Sequence, residues 1–193
     1  MKELYKFIKI PNFDIIQQEL LNCIKHDYKS KGLHAFNYEE AYLAESCPTF
    51  YAWFKPKIKM PVRMFRFYIT PPGEKLKPHI DGNKIRATVP FGLNIPVTGS
   101  KDTYHIYYHC DDNNMNGDLK LGYMGGMHPK DVSKLRVVER FEILQPCFTN
   151  NEVMHSVENT SADFRVMFTV RWILDPTVGR QIDEVIDTTD LFV

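Results

Sequence analysis

The sequence predicts a mostly β chain with helices at its N-terminus, folded as an antiparallel sandwich or jelly roll. Three observations lead there. Apolar residues recur at helical spacing chiefly before Pro61. Beyond it, seven or eight short strand-like runs are separated by turn signals. No helical segments alternate with those runs, which argues against a parallel doubly wound sheet and packs the helices together on one sheet.

The elements follow in order. Residues 12–28 place Phe13, Ile16, Leu20 and Ile24 three and four apart, the stripe of an amphipathic helix, with Asn12 as N-cap and Gly32 as stop. Residues 38–54 read as partly helical; their aromatic run, Phe50, Tyr51, Trp53 and Phe54, suits a core or the wall of a pocket. In "VRMFRFYIT" (62–70), Phe65, Phe67 and Ile69 face one way, and Arg66, Tyr68 and Thr70 the other. Residues 85–98 are strand-like but broken by Pro90 and Pro96, as at an edge or a bulge. Residues 102–110 form a strand, "DDNNMNGD" (111–118) a turn, and "LKLGYMG" the return of a hairpin. That turn begins like a calcium loop, but its twelfth position is Gly122, where such a loop needs glutamate. Residues 134–144 give another strand, halted by Pro146, and 163–174 the longest one. The acidic tail after Pro176 holds one short helix around 182–186. One domain is expected over 1–193: helical support in 1–60, a jelly-roll core in 61–174 and a tail in 175–193.

Composition excludes several classes. Hydrophobic residues make up 44% and charged residues 25%, ordinary for a soluble globular chain. Lys plus Arg equals Asp plus Glu at 24 each, so nothing overall draws nucleic acid or an anionic membrane. No apolar run approaches the roughly 20 residues of a membrane span, and the N-terminus lacks the apolar core of a signal peptide. A cytoplasmic protein is expected. Cys23, Cys47, Cys110 and Cys147 are scattered without a Cys-x-x-Cys pair, as reduced, mostly buried thiols.

The segment "PHIDG" carries chemistry. His79 and Asp81 are two apart, so in an extended segment they project to the same side. Two histidines and one carboxylate on one face of a metal ion leave positions open for other ligands, the pattern of non-haem Fe(II) oxygenases. The third ligand must come from a distant strand. His26 and His34 lie in or beside the first helix. His105 and His109 are four apart, roughly 13 Å, too far to chelate one ion, and are assigned to packing or the surface. His128 lies in a loop. His155 remains, in a turn-rich stretch feeding the last long strand, with Arg165 ten residues on. Arg165, Met167, Thr169 and Arg171 share one face of that strand. An arginine inside a sandwich is costly unless it meets an anion, and its fork matches a carboxylate. An internal salt bridge is the alternative for it.

Together, His79-x-Asp81, "RATVPFGLNIP", and His155 followed by Arg165 resemble the 2-oxoglutarate/Fe(II)-dependent oxygenases, most closely the aspartyl/asparaginyl β-hydroxylase branch, over residues 62–174. That branch shows a similar "PG…PH" approach, an Arg-containing strand ending in "L.IP", and "H.V.N.S…R" at the distal site. The resemblance implies a double-stranded β-helix, the cupin-like jelly roll. It implies Fe(II) held by His79, Asp81 and His155, and 2-oxoglutarate anchored by Arg165 with the hydroxyl of Tyr68, eleven residues before His79. Arg86 falls in the family's basic position near the pocket. Arg171 is a candidate contact for a substrate carboxylate or the cosubstrate, and Asn94 a candidate pocket residue.

The implied reaction hydroxylates an amino-acid side chain (peptidyl Asp, Asn or Pro, or a free amino acid), consuming dioxygen and decarboxylating 2-oxoglutarate to succinate. Two departures bear on the substrate. The animal aspartyl β-hydroxylase lacks the carboxylate ligand, so Asp81 brings this chain nearer the complete-triad enzymes of the branch, such as the free-proline hydroxylases. The stretch between the two histidines is also longer here. Two other readings remain: a cupin-like metal enzyme that shares the triad without needing Arg165, and a non-enzymatic β-sandwich binding module, in which His79 and His155 would lie far apart.

Overall fold

Strand parity sorts the side chains into layers. Among the residues described in this computed structural model (3–24, 35–81, 90–115, 127–173 and 181–192), nine strands form two antiparallel sheets. Numbered in chain order, the larger sheet runs β1 (Tyr5–Phe7), β7 (Cys147–Asn150), β4 (Phe91–Thr98), β9 (Arg165–Trp172), β3 (Val62–Thr70) and β2 (Ala35–Tyr38). The smaller runs β6 (Arg136–Glu142), β5 (Thr103–His109) and β8 (His155–Asn159).

Every residue of β9 is buried. Its even positions, Val166, Phe168, Val170 and Trp172, join Phe65, Phe67 and Ile69 of β3 and Leu93, Ile95 and Val97 of β4 in the main core. Helices α1 (Phe13–Cys23), α2 (Glu40–Ser46) and α3 (Pro48–Phe54) supply Ile16, Leu20, Leu43, Phe50, Trp53 and Phe54 to that core. Phe50 meets Phe168 edge to face at 5.4 Å, and each such large apolar side chain contributes about 1.5–3 kcal/mol by its burial. Pro48 suits the first turn of α3, where the missing N–H costs nothing. Glu19 of α1 accepts hydrogen bonds from the next two amides, Thr49 N (3.0 Å) and Phe50 N (3.2 Å), which ties the two helices together. The other face of β9 looks toward the smaller sheet.

Several expectations are corrected. Residues 1–60 are more than helical support, because β1 and β2 form the two edges of the larger sheet. The first helix stops at Cys23, where Ile24 turns extended. Asn12 does occupy the N-cap position, but at φ 55° and without a capping side-chain bond. Gly32 lies outside the described residues. Of the α3 aromatics, Phe50, Trp53 and Phe54 pack in the core, one of the two placements expected, while Tyr51 is half-buried and donates to Glu40 Oε1; none of them lines the cavity between the sheets.

β4 is a central strand, so of the expected edge or bulge the bulge-like irregularity holds: Pro90 precedes the strand, and a shift of register between Pro96 and Thr98 absorbs the second proline. Among the described strands β3 is the longest, at 9 residues against 8 for β9. The stretch around His155, expected to be turn-rich, is strand β8. The turn after β5 continues as a single helical turn, Asp112–Asn114, and the returning half of the expected hairpin lies outside the described residues. In the tail, α4 (Ile182–Val185) forms as expected and opens with a capping box of Gln181 and Glu184. Val185, Ile186 and Leu191 nonetheless join the core.

The four cysteines are free. Cys23 and Cys47, distant in sequence, bring their Sγ atoms to 3.0 Å. None of the described helices is long and apolar enough to cross a membrane.

Candidate metal and carboxylate site

The segment before β4 and the start of β8 lie side by side. His79 N donates to His155 O and His155 N donates to His79 O, both at 2.9 Å, so two residues 76 positions apart form one antiparallel pair. Their rings stand 4.6 Å apart. Asp81 N donates to Asn151 O at 3.0 Å, which brings the carboxylate to the same spot. One ligand atom from each of His79, Asp81 and His155 lies within 4.8 Å of the others.

These side chains suit a cation. His79 Nδ1 lies 2.9 Å from Lys77 O, and His155 Nδ1 2.8 Å from Val153 O. A carbonyl oxygen only accepts, so each Nδ1 carries the proton and each Nε2 keeps its lone pair for a metal. Burial pushes His155 down to about 4, helped by the neighbouring His79 and opposed by Asp81, so the ring stays neutral near pH 7. Asp81 Oδ1 lies 3.7 Å from His79 Nε2, while Oδ2 is held by Arg171 Nη2 at 3.1 Å. Arg171 is itself fixed: turned with its amide oxygen toward the guanidinium, Asn151 accepts from Nη1. Position 92 must be glycine for this, because a Cβ there would stand 2.8 Å from Arg171 Cδ.

The burial of His155 sets a pH dependence. The unfolded chain protonates this histidine below about pH 6.5, while the folded protein resists until about 4. The contribution is therefore complete above pH 6.5 and falls away by about 3 kcal/mol as the pH drops to about 4. Denaturant unfolding of the metal-free protein should show this slope, and His155→Gln should flatten it. Parallel slopes in the two proteins would refute the assignment.

Odd positions of β9 continue the site. Arg165, Thr169 and Arg171 line one cavity of about 110 Å³ with Tyr68, Thr70, Asn94, His105 and the three ligand residues. Its apolar walls are Leu76, Ile143, Val157 and Met167. Arg165 is only 5% exposed. Burial brings it down to about 10, with no anion acting the other way, and none of the described ion pairs includes it. Asn94 is held in the larger sheet: it accepts from Thr169 Oγ1 at 2.7 Å and donates to Thr149 Oγ1 at 2.6 Å. Tyr68 is half-buried, its hydroxyl 3.5 Å from Arg66 Nη1.

His79, Asp81, His155, Tyr68, Asn94, Arg165 and Arg171 thus meet at one cavity. Arg86 lies outside the described residues. His128 sits close by, its ring 6.0 Å from that of His79 and its Nδ1 bonded to Pro78 O, outside the three-ligand group. His109 is exposed and pairs with Asp111.

Among the cavity residues that sequence reasoning missed, Thr70 and His105 bear most on the chemistry. Thr70 faces Arg165 directly across the β3–β9 ladder, and its parity with Tyr68 could have disclosed it. His105 stacks on His155 at 5.2 Å with rings 12° from parallel. Spacing along β5 speaks only to chelation with His109 and is silent about a partner on another strand.

A family model described as Aspartyl/Asparaginyl beta-hydroxylase matches residues 2–116, more than half of the chain. The match takes in His79 and Asp81 and extends over the N-terminal helices, beyond the stretch that carries the sequence motifs. No curated protein matches the chain. Two solved structures share the fold. SnoK, a non-heme alpha ketoglutarate dependent carbocyclase from nogalamycin biosynthesis, is 10% identical, with a TM-score of 0.53 over 88% of this chain and 78% of that one. AviO1 from Streptomyces viridochromogenes Tue57 is 11% identical, with a TM-score of 0.50 over 91% of each chain. At such identity the likeness is one of fold: the jelly-roll, double-stranded β-helix architecture.

Proposed function

The chain belongs to the aspartyl/asparaginyl beta-hydroxylase family, and from that premise we propose that it is an Fe(II)- and 2-oxoglutarate-dependent oxygenase that hydroxylates an amino-acid side chain, peptidyl or free. The observation that carries the proposal is the company Arg165 keeps. A buried guanidinium with no described anionic partner lines the same cavity as three metal-type ligands. Such a charge is costly to bury alone and is satisfied by a carboxylate. A cupin-like enzyme without a dicarboxylate cosubstrate gives it no role.

His79 and His155 would hold Fe(II) through Nε2 and Asp81 through Oδ1, since Arg171 occupies Oδ2. With 2-oxoglutarate and dioxygen, the bound ion would supply the oxidising power that inserts oxygen into a C–H bond as succinate and carbon dioxide form. The chain's own residues bind and shield. Arg165 grips the far carboxylate of the cosubstrate, with the hydroxyls of Tyr68 and Thr70 on the neighbouring strand. Leu76, Ile143, Val157 and Met167 keep water from that charge pair, which strengthens it.

Anaerobic titration tests the proposal. A weak visible absorption band should develop only with Fe(II) and 2-oxoglutarate together, and aerobic incubation should then release succinate. A protein that gives neither overturns it.

A further inference from the structure

His105 is a buried polar group that the metal site leaves unused. It is 6% exposed, lines the cavity from the smaller sheet, and its Nε2 has no hydrogen-bond partner among the described residues. An unsatisfied buried nitrogen costs stability and asks for a ligand. Its ring is held rigidly between neighbours, stacked on His155 at 5.2 Å and against Tyr107 at 4.8 Å and Phe141 at 5.6 Å. Across the two sheets, Arg165 of the larger one lines the same cavity.

Resting on the oxygenase reading above, we propose that His105 and Arg165 form a two-sided carboxylate clamp, in which the His105 imidazole donates a hydrogen bond to the same far carboxylate that Arg165 grips. Arg165 provides the charge and the fork. His105 fixes the rotation of the carboxylate from the opposite sheet, so a ligand must reach both sheets to bind well. The chemical class selected is a 2-oxo acid with a second carboxylate at its far end.

His105→Phe keeps the ring and its stacking but removes the donor; His105→Gln keeps an N–H. Binding is read anaerobically, by calorimetry on Fe(II)-loaded protein, with 2-oxoglutarate and with 2-oxopentanoate, which lacks the far carboxylate. In His105→Phe, 2-oxoglutarate should bind about tenfold more weakly, while 2-oxopentanoate and Fe(II) bind as in the wild type. The ligand-free melting temperature should rise, because the unsatisfied nitrogen is gone. His105→Gln should recover most of the 2-oxoglutarate affinity. Unchanged 2-oxoglutarate binding in His105→Phe overturns the clamp, and so does an equal loss for both acids or for Fe(II), since His105 would then act through His155. A wild type that binds neither acid sinks the oxygenase reading, and the clamp with it.

Discussion

Replacing Arg165 by alanine is expected to weaken 2-oxoglutarate binding by about 100- to 1000-fold while leaving Fe(II) binding within a fewfold. Removing one partner of a buried, hydrogen-bonded charge pair costs about 2–5 kcal/mol, and each 1.4 kcal/mol is a factor of about ten. Arg165 fits that description once a carboxylate arrives: it is 5% exposed and lies in an apolar-walled cavity. Arg165→Lys keeps the charge but loses the two-pronged fork, and should fall between the two. A companion effect has the opposite sign. In the absence of ligand the guanidinium has no described anion, so Arg165→Met should melt at a higher temperature than the wild type. Affinity falling while stability rises marks a group kept for binding. Wild-type affinity in Arg165→Ala, read by the same anaerobic titration, would remove the anchor.

The second large effect belongs to Asp81. Asp81→Ala should lower Fe(II) affinity by more than about 100-fold, since even supporting groups around a metal cost 10- to 100-fold when lost. It should also destabilise the metal-free protein by about 3–5 kcal/mol, because Arg171 stays buried after losing its carboxylate. The two losses separate in Asp81→Ala/Arg171→Met: stability largely returns, and Fe(II) affinity does not. Denaturant unfolding and metal titration read them independently. Fe(II) affinity unchanged in Asp81→Ala would strike the carboxylate from the ligand set.

Much of the site could be read from the chain because its logic is local. Two residues apart on extended backbone share a side, which paired His79 with Asp81. Alternation along β9 set Arg165 and Arg171 on the cavity face and Phe168 in the core. What could not be read depends on long-range pairing. β1, β2 and β7 are only 3 or 4 residues long, too short for alternation to show, and form because a neighbour offers an edge. β8 hides among turn-forming residues because its partners are Thr103–Tyr107 of β5, some fifty residues upstream. His105 joins the cavity only because β5 pairs with β8, a register that spacing along one strand does not reveal. Of the two readings of Pro96, an edge or a bulge, the second holds: an irregularity in the ladder lets a proline sit in a central strand.

The reciprocal main-chain bonds between His79 and His155 decide how the centre would fill and empty. The main chain itself thus holds two donors, distant in sequence, at high effective concentration toward each other. Loading is then a docking event rather than a folding event, unlike small metal-nucleated domains that collapse only around their ion. Little of the binding free energy would then be spent on bringing the histidines together. Loss of the ion would correspondingly be local, with the main-chain pair still holding the two histidines side by side for reloading.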